Sequence, residues 1–585
     1  MIQPQTGEPR MKPVKELDPI QVEVLWNRLI GIVEEQAMVL IRTAFTNIIS
    51  DAGDLSAGIF DTRGNMIAQA VTGTPGHINS MAIGQRHFLA AYPPGTLQPG
   101  DVLISNDPHQ FSGHLNDFTV STPVYRGERL LAYFASTCHA LDIGGRGFGP
   151  EGRDLFEEGL YVPITKYYMG GKPNEELLKL LRANVRTPDE VLGDLHAQVA
   201  ANNVGGQRLL EMMDEFGLET LEPIADEIIE RSERAMRQAI RHLPDGEYCN
   251  RLTCDGWEEP ITIRARVIID GDELAVDFSG TSSEVAYGVN VVLNYTIAYT
   301  TYALKAAICP EVPNNEGSFR PVRIHAPAGS ILNCSRTAPV AARHIVGHFA
   351  PECVLGALAA LIPERALAEG ANTIWNIQAA GKWPTGAPFR FVSMMAGGMG
   401  ARACKDGLSA AIFPSGIRGT PVEIIESASP LVVTRKELRR DSGGPGTYRG
   451  GLGQEVHLQV RSAYPLTFTA MFDRTRFPAR GLHGGSTGAP GEVLLDDGTR
   501  LAPKGRHDIA PERTLIMRLP GGGGYGSPCA RLLERVLEDV RNGFVSPEQA
   551  EAAYGVVINT QTWTVDHEAT ARCRSLDTSN GEGKR

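Results

Sequence analysis

Glycine, used densely and in clusters, constrains this chain more than any other feature. Of 585 residues, 64 are glycine and 38 are proline, so much of the backbone lies in turns and in conformations that other residues avoid. The glycines gather at 144–152, 397–407, 443–453, 481–489 and 520–526. Apolar or basic residues flank each cluster, which places it inside a folded body rather than in a flexible linker. Gly443-Gly444-Pro445-Gly446 and the run Pro520 to Gly526 could present amide N–H groups to a phosphate. Neither ends in Gly-Lys-Ser/Thr and neither lies between a clear strand and helix, so direct ATP binding by this chain is not expected. No internal repeat of fixed period is visible.

The remaining composition excludes several classes. With 42% hydrophobic and 21% charged residues the chain is of ordinary globular type, and its length asks for three or more structural units. A net charge of −12 argues against a nucleic-acid partner, which would require a basic face. No apolar run reaches 18 residues, so no membrane span is expected. The stretch MIQPQTGEPRMKPVKELDP is polar, broken by proline, and lacks the apolar core of a secretory signal. The 9 cysteines are odd in number and scattered, as buried thiols in a reducing cytoplasm would be. Cys249 and Cys254 have no second pair behind them and do not read as a zinc knuckle. Cys138 adjoins His139 but reads as a buried thiol.

Periodicity gives an α+β chain with mixed sheets. Residues 1–245 form a helix-rich N-terminal region, 246–384 a β-rich middle, 385–570 a glycine-rich α+β part, and 571–585 a disordered tail. Asp18-Pro19 starts a helix running to about Phe45. Leu55–Phe60 and Met66–Ala70 form a hairpin around Arg63-Gly64-Asn65. Helical patterns follow at Glu175–Arg186, Pro188–Asn203 and about Leu209–Leu243. Strands at Ile261–Ile269 and Leu274–Phe278 flank the Asp270-Gly271-Asp272 turn. Further helices fall at Phe349–Leu361 and near Arg531–Arg541.

The chemistry concentrates in residues 105–145, SNDPHQFSGHLNDFTVSTPVYRGERLLAYFASTCHALDIGG. His114 and Asp117 follow Gly113 within one turn, and His139 arrives after the strand-like run Leu130–Ala135. Imidazole nitrogen with carboxylate oxygen suits a divalent metal such as zinc or manganese. A pair from one turn plus a third ligand on a neighbouring strand end leaves positions open, as a catalytic site requires. The spacing matches no short metalloprotease motif, and loop caps or surface histidines are the bland alternative.

The order of these features resembles the hydantoinase B/oxoprolinase family, partner subunits of ATP-dependent hydantoinases and related to acetone carboxylase alpha subunits. The similarity runs from about Asp18 to Ile558. It is carried by LDPIQVEVLWNRL, GDLSAGIFDTRGNMIAQA, TPGHINSM, SNDPHQFSGHLNDF, HALDIGG and EEGLYVPITK, then VDFSGTSSEV, VPNNEGSFRP, PVEIIE, DSGGPGTYRGGLG and LPGGGGYG. The resemblance implies metal ligands at His114, Asp117 and His139, with a further acidic ligand at Asp54 or Asp51. At Asp51 the family commonly has Glu, so the shorter side chain leaves its reach in doubt. His77 reads as a proton carrier, a substrate donor, or a histidine that only bonds a turn. Asp142 either orients His139 or caps the Gly144-Gly145 turn. Asp107 reads as a turn residue before Pro108. Asp194, Asn202 and Asn203 read as helix residues that could at most close the pocket.

What the resemblance implies for function is one subunit of an ATP-dependent cyclic amide hydrolase acting on hydantoin, 5-oxoproline or another lactam. A hydantoinase A-type partner would bind ATP and phosphorylate the amide oxygen. Metal-held water in this chain would then attack the carbon, with His77 or Asp142 managing protons. A hetero-oligomer follows from that division. The alternatives are an alpha-type subunit of an ATP-dependent ketone carboxylase, whose known examples are longer, and a non-catalytic scaffold for the ATPase.

Overall fold

The computed structural model describes residues 18–71, 74–372 and 374–581; the N-terminal stretch read for a secretory signal lies outside these down to Glu16 and Leu17. The first helix, Pro19–Thr43, begins where expected, with Asp18 accepting from the Ile20 amide at 3.1 Å. It leads into a seven-stranded sheet built from β1 (Leu55–Phe60), β2 (Met66–Gln69), β3 (Val102–Ser105), β4 (Asp117–Arg126), β5 (Arg129–His139), β6 (Thr165–Met169) and β7 (Lys172–Pro173). The order is β2-β1-β5-β4-β3-β6-β7, antiparallel throughout. The expected β1–β2 hairpin is present, its turn held by Asp61 accepting from the amides of Arg63 and Asn65.

The helices Pro19–Thr43 and Pro188–Glu215 cover one face of this sheet. The second runs unbroken through Gly205-Gly206, where two helices had been expected. A Cβ on Gly205 would fall 2.5 Å from the Phe134 ring and one on Gly206 2.9 Å from Val124, so these glycines let the helix approach the strands. Asn202 is buried beneath it, donating to Val120 O and to Thr122 Oγ1, while Asn203 is exposed. Asp194 accepts from the amides of Phe45 and Thr46. These residues join helix to sheet and to the preceding loop.

The middle sheet comprises β8 (Gly246–Cys254), β9 (Ile261–Asp270), β10 (Glu273–Asp277) and β11 (Val322–His325), with β10 and β11 parallel. It is backed by helices Leu293–Ile308 and Phe349–Leu358. The first of these was not expected in a region read as β-rich. It is buried on nearly every side, so it carries no polar stripe to mark it as a helix. The largest apolar core joins residues of β3 and β4 to this middle sheet and its helices.

The C-terminal strands are β12 (Ile374–Lys382), β13 (Pro388–Ala396), β14 (Leu431–Leu438), β15 (Gln454–Val460), β16 (Leu466–Met471), β17 (Glu492–Leu495), β18 (Lys504–Ile509) and β19 (Thr514–Arg518). They form two antiparallel sheets, β13-β12-β16-β18 and β14-β15-β19-β17, sharing a core in which Trp375 stacks on Phe472 at 4.1 Å. Beside them the glycine clusters pack on one another. Gly521, Gly522, Gly523 and Gly524 donate in turn to Ala489, Gly451, Glu369 and Ser486. Each extended segment thus spends its amides on several neighbours. A Cβ at Gly398 or Gly450 would lie 1.9 Å from a backbone carbonyl oxygen, and at Gly522 2.2 Å. These clusters are therefore a backbone-on-backbone layer, not phosphate cradles, because their donors are consumed internally.

Of the tail expected to be disordered over 571–585, residues 571–581 continue the helix His567–Gly581 and residues 582–585 lie outside the described residues. Arg574 ties it down by donating to the carbonyls of Tyr554 and Arg531. No helix among the described residues is long and apolar enough to cross a membrane.

Candidate metal centre

Strand register builds the site. In the β4–β5 hairpin, the first residue of β4, Asp117, pairs with the last residue of β5, His139. On the other side of β5, Leu55 pairs with Cys138, which sets Asp54 beside His139; the His139 amide lies 3.4 Å from Asp54 O. Alternation along β5 sends the Cys138 thiol into the apolar core instead. His114 reaches the same sheet end through the turn before β4. There Gly113 has φ +92°, and a Cβ on it would fall 2.8 Å from Arg343.

Asp117 is the hub. His114 Nε2 lies 2.7 Å and His139 Nδ1 3.2 Å from its Oδ1, while His77 Nε2 lies 3.0 Å and Arg343 Nη2 2.5 Å from its Oδ2. Asp54 joins through His77, 3.6 Å from its Oδ1, and accepts from Thr74 Oγ1 at 3.1 Å. Burial opposes ionisation of Asp117, but His114, His77 and Arg343 outweigh it and hold the carboxyl well below its usual range. Burial, reinforced by Arg343, pushes His114 down to about 3. For His77 burial also opposes charge, yet Asp117 and Asp54 win and raise its affinity for a proton.

One contact decides what this arrangement can hold. His114 Nδ1 is 2.8 Å from the Ala341 carbonyl, which can only accept, so Nδ1 carries the proton and Nε2 presents a lone pair. That lone pair faces an ionised carboxylate oxygen at 2.7 Å. Two electron-rich atoms so placed need a proton or a metal cation shared at this end of the sheet. His114, Asp117 and His139 offer one ligand atom each within 4.8 Å of one another, and His139 Nε2 and His77 Nδ1 are buried without partners. The donor set therefore fits a divalent ion such as zinc or manganese.

Glu158 supports this geometry from behind. Its Oε1 accepts from the amides of Val340 and Ala341 at 2.7 and 2.8 Å, fixing the peptide whose carbonyl orients His114. Burial lifts its carboxyl to about 8, and its Oε2 has no partner.

The structure separates the other candidates. Asp54 lines the cavity, whereas Asp51, half-buried outside that lining, accepts from Ser50 Oγ at 2.9 Å. His77 lies in the first turn of the helix Pro75–Ala91. Asp142 does not orient His139: it accepts from the backbone amide of Arg186 and from its Nη1, which also donates to Gly144 O. Its work is to secure the loop after β5. Asp107 accepts from His109 N, Tyr161 Oη and Arg336 Nη2, a structural post.

Sequence reasoning missed the far wall. Tyr295, Tyr299, Arg343, His344, His348, Asn376 and Met394 complete the cavity of about 30 Å³. A larger cavity of about 440 Å³ adjoins it and shares Ser415. The signal available was Arg343-His344 with His348 inside the otherwise apolar run from Ala338 to Pro351, polar residues where the pattern asks for none. Burial and Arg343 hold His348 at about 3, and burial, His348 and Arg343 keep His344 well below its ordinary value.

Comparison with known proteins agrees over nearly the full length. The caprolactamase subunit beta of Pseudomonas jessenii is 30% identical over 577 residues, covering 93% of this chain and 97% of that one. The crystal structure of ATP-dependent caprolactamase from Pseudomonas jessenii matches with a TM-score of 0.88 at 27% identity, covering 96% of this chain and 100% of that chain. An acetone carboxylase structure shares the fold at TM-score 0.88 and 20% identity, over 97% of this chain and 84% of that one. With residues 18–528 matching the Hydantoinase B/oxoprolinase family as well, the chain belongs to that family.

Proposed function

We propose that this chain is the ring-opening subunit of an ATP-dependent cyclic amide hydrolase, acting on an amide whose carbonyl oxygen an ATP-binding, hydantoinase A-type partner has phosphorylated. Family membership supports the reaction class, and the caprolactamase relative, itself a subunit beta, supports a partner. The reading is carried by the His114 Nε2 lone pair facing Asp117 Oδ1 at 2.7 Å. His114, Asp117 and His139, with Asp54 in reach, would hold a divalent ion that polarises oxygen and acidifies water.

The chain's own groups do the rest. The Ala341 carbonyl keeps His114 in the tautomer that leaves Nε2 available. His77 Nε2 sits between Asp117 and Asp54. Its Nδ1, buried and unpartnered, is the nitrogen left to take a proton from the attacking water and return it to the ring nitrogen as the C–N bond breaks. Phe148, Tyr295 and Met394 line the cavity and limit bulk water around it.

The test is reconstitution. Mixed with a hydantoinase A-type subunit, the chain is expected to open hydantoin, 5-oxoproline or caprolactam only with ATP, and Asp117→Ala is expected to abolish ring opening. Ring opening by the isolated chain without ATP, or wild-type turnover in Asp117→Ala, sinks the proposal.

A further inference from the structure

Arg343 has more nitrogen than its visible partners use. The residue is 4% exposed. Nε donates to Ser112 O at 2.6 Å, Nη2 donates to Asp117 Oδ2 at 2.5 Å, and the guanidinium lies 4.4 Å from the centre of the Tyr295 ring. Nη1 makes no hydrogen bond to any described residue, although Arg343 lines the cavity beside the histidine cluster. A guanidinium serving only as counter-ion to Asp117 would sit bidentate on it. Here the fork is turned so that one amine is left over beside the cavity that Arg343 lines.

The surroundings favour an anion as that acceptor. His344 and His348 are kept uncharged, and an uncharged imidazole can still donate an N–H. His348 Nδ1 is itself buried and unpartnered. The 17-residue helix Pro75–Ala91 starts at this wall, with Thr74 and His77 both lining it, so its positive dipole end adds to the field. Among the described residues, Asp117 and Asp54 touch or line this pocket, and Glu158, whose field also reaches the guanidinium, is raised to about 8 and so adds little negative charge at neutral pH; a divalent ion would leave the pocket net positive. A cavity of about 30 Å³ has room for roughly two water-sized groups. That accepts two oxygens of a tetrahedral oxyanion and leaves the ring to the adjoining cavity of about 440 Å³.

We infer that Arg343 Nη1, with the His344–His348 wall, forms an anion subsite that grips the phosphoryl group of the activated amide and retains it as inorganic phosphate. The inference rests on the proposed function. Water adds to the carbon bearing the phosphoryloxy group. The C–N bond then breaks, its electron pair and a proton going to nitrogen, which leaves an acyl phosphate. A second water cleaves that mixed anhydride to a carboxylate and inorganic phosphate. Arg343 holds the same phosphoryl oxygens through both steps.

The experiment is calorimetric titration of inorganic phosphate into the full-length, metal-loaded chain. Wild type, Arg343→Lys, Arg343→Met and His139→Ala are compared, with metal content and melting temperature measured for each. Lysine keeps a point charge for Asp117 but cannot also present a second nitrogen. Phosphate affinity is expected to fall at least tenfold in Arg343→Lys, and further in Arg343→Met, at unchanged metal content. Equal affinity in wild type and Arg343→Lys overturns the inference, as does wild type that binds no phosphate at millimolar concentration. Affinity that follows metal loss in His139→Ala but ignores Arg343 also overturns it, since phosphate would then sit on the metal. Wild type without metal that still binds phosphate through Arg343 refutes the metal reading and supports the subsite.

Discussion

Replacing Glu158 by glutamine is expected to make the protein more stable at alkaline pH. The carboxyl has a model-compound value of 4.5 and burial lifts it to about 8. A group whose proton affinity rises on folding contributes stability that is fully present below its unfolded value. That stability is lost as pH climbs through the folded one. Each tenfold change in affinity is about 1.4 kcal/mol, so the ceiling on the loss between pH 4.5 and 8 is roughly 5 kcal/mol. Glutamine cannot ionise, and its carbonyl still accepts from Val340 and Ala341. Melting temperatures of metal-stripped protein at pH 5.5, 7 and 8.5 are expected to fall more steeply for wild type than for Glu158→Gln. Glu158→Ala behaves differently, because it strands two amides at about 1–3 kcal/mol each at every pH. It also frees the Ala341 carbonyl that orients His114, and metal affinity should drop about 10–100-fold, as loss of such support typically costs. Parallel pH profiles for wild type and Glu158→Gln refute the buried, raised carboxyl. Unchanged metal affinity in Glu158→Ala refutes the link through Ala341.

Elemental analysis of Asp54→Asn is expected to show reduced metal occupancy while Asp51→Asn retains it; the reverse ranking means the acidic ligand is Asp51. Gly522→Ala must displace Met399 O, which would lie 2.2 Å from the new methyl, and a cost of about 3 kcal/mol or more is expected from overpacking; an unchanged urea midpoint contradicts the packed layer. Under native conditions a maleimide is expected to modify exposed Cys249 and Cys404 and spare buried Cys138 and Cys254, whose thiols burial lifts well above the usual value. Mass-spectrometric mapping that finds Cys138 labelled early would contradict its place in the core.

How much of this was legible follows from distance along the chain. His114, Asp117 and His139 come from one hairpin, and a hairpin brings its ends together by local register, so their spacing was informative. Choosing between Asp51 and Asp54 required the pairing of β1 with β5, which spacing does not state. The helix Pro75–Ala91 was unreadable because it is buried along most of its first three turns. Its Gly76 and Gly84 depress helical propensity, and both are there to admit Tyr299 and Phe111, whose rings would meet a Cβ at 2.6 and 2.3 Å. Arg343 enters from more than 220 residues beyond Asp117 (226 apart), and no periodicity links the two. Asp142 misled because its three-residue spacing from His139 suggests contact, whereas Gly144 and Gly145 at positive φ turn the chain away to Arg186.

The glycine layer also dictates an order of assembly. Its segments are drawn mainly from residues 369 to 524 and bond largely to one another, so no pair of them gains much until most have met. Contacts of such separation incur their loop-closure entropy first, which makes them late and slow events in folding. Ile374, Asn376 and Met394, which wall the metal site, stand on strands β12 and β13 that adjoin this layer through Ala371 and Gly397. A nascent chain would therefore finish the hairpin that carries Asp117 and His139 well before the wall that closes over it. Metal capture by the open N-terminal cluster would precede, not follow, completion of the pocket.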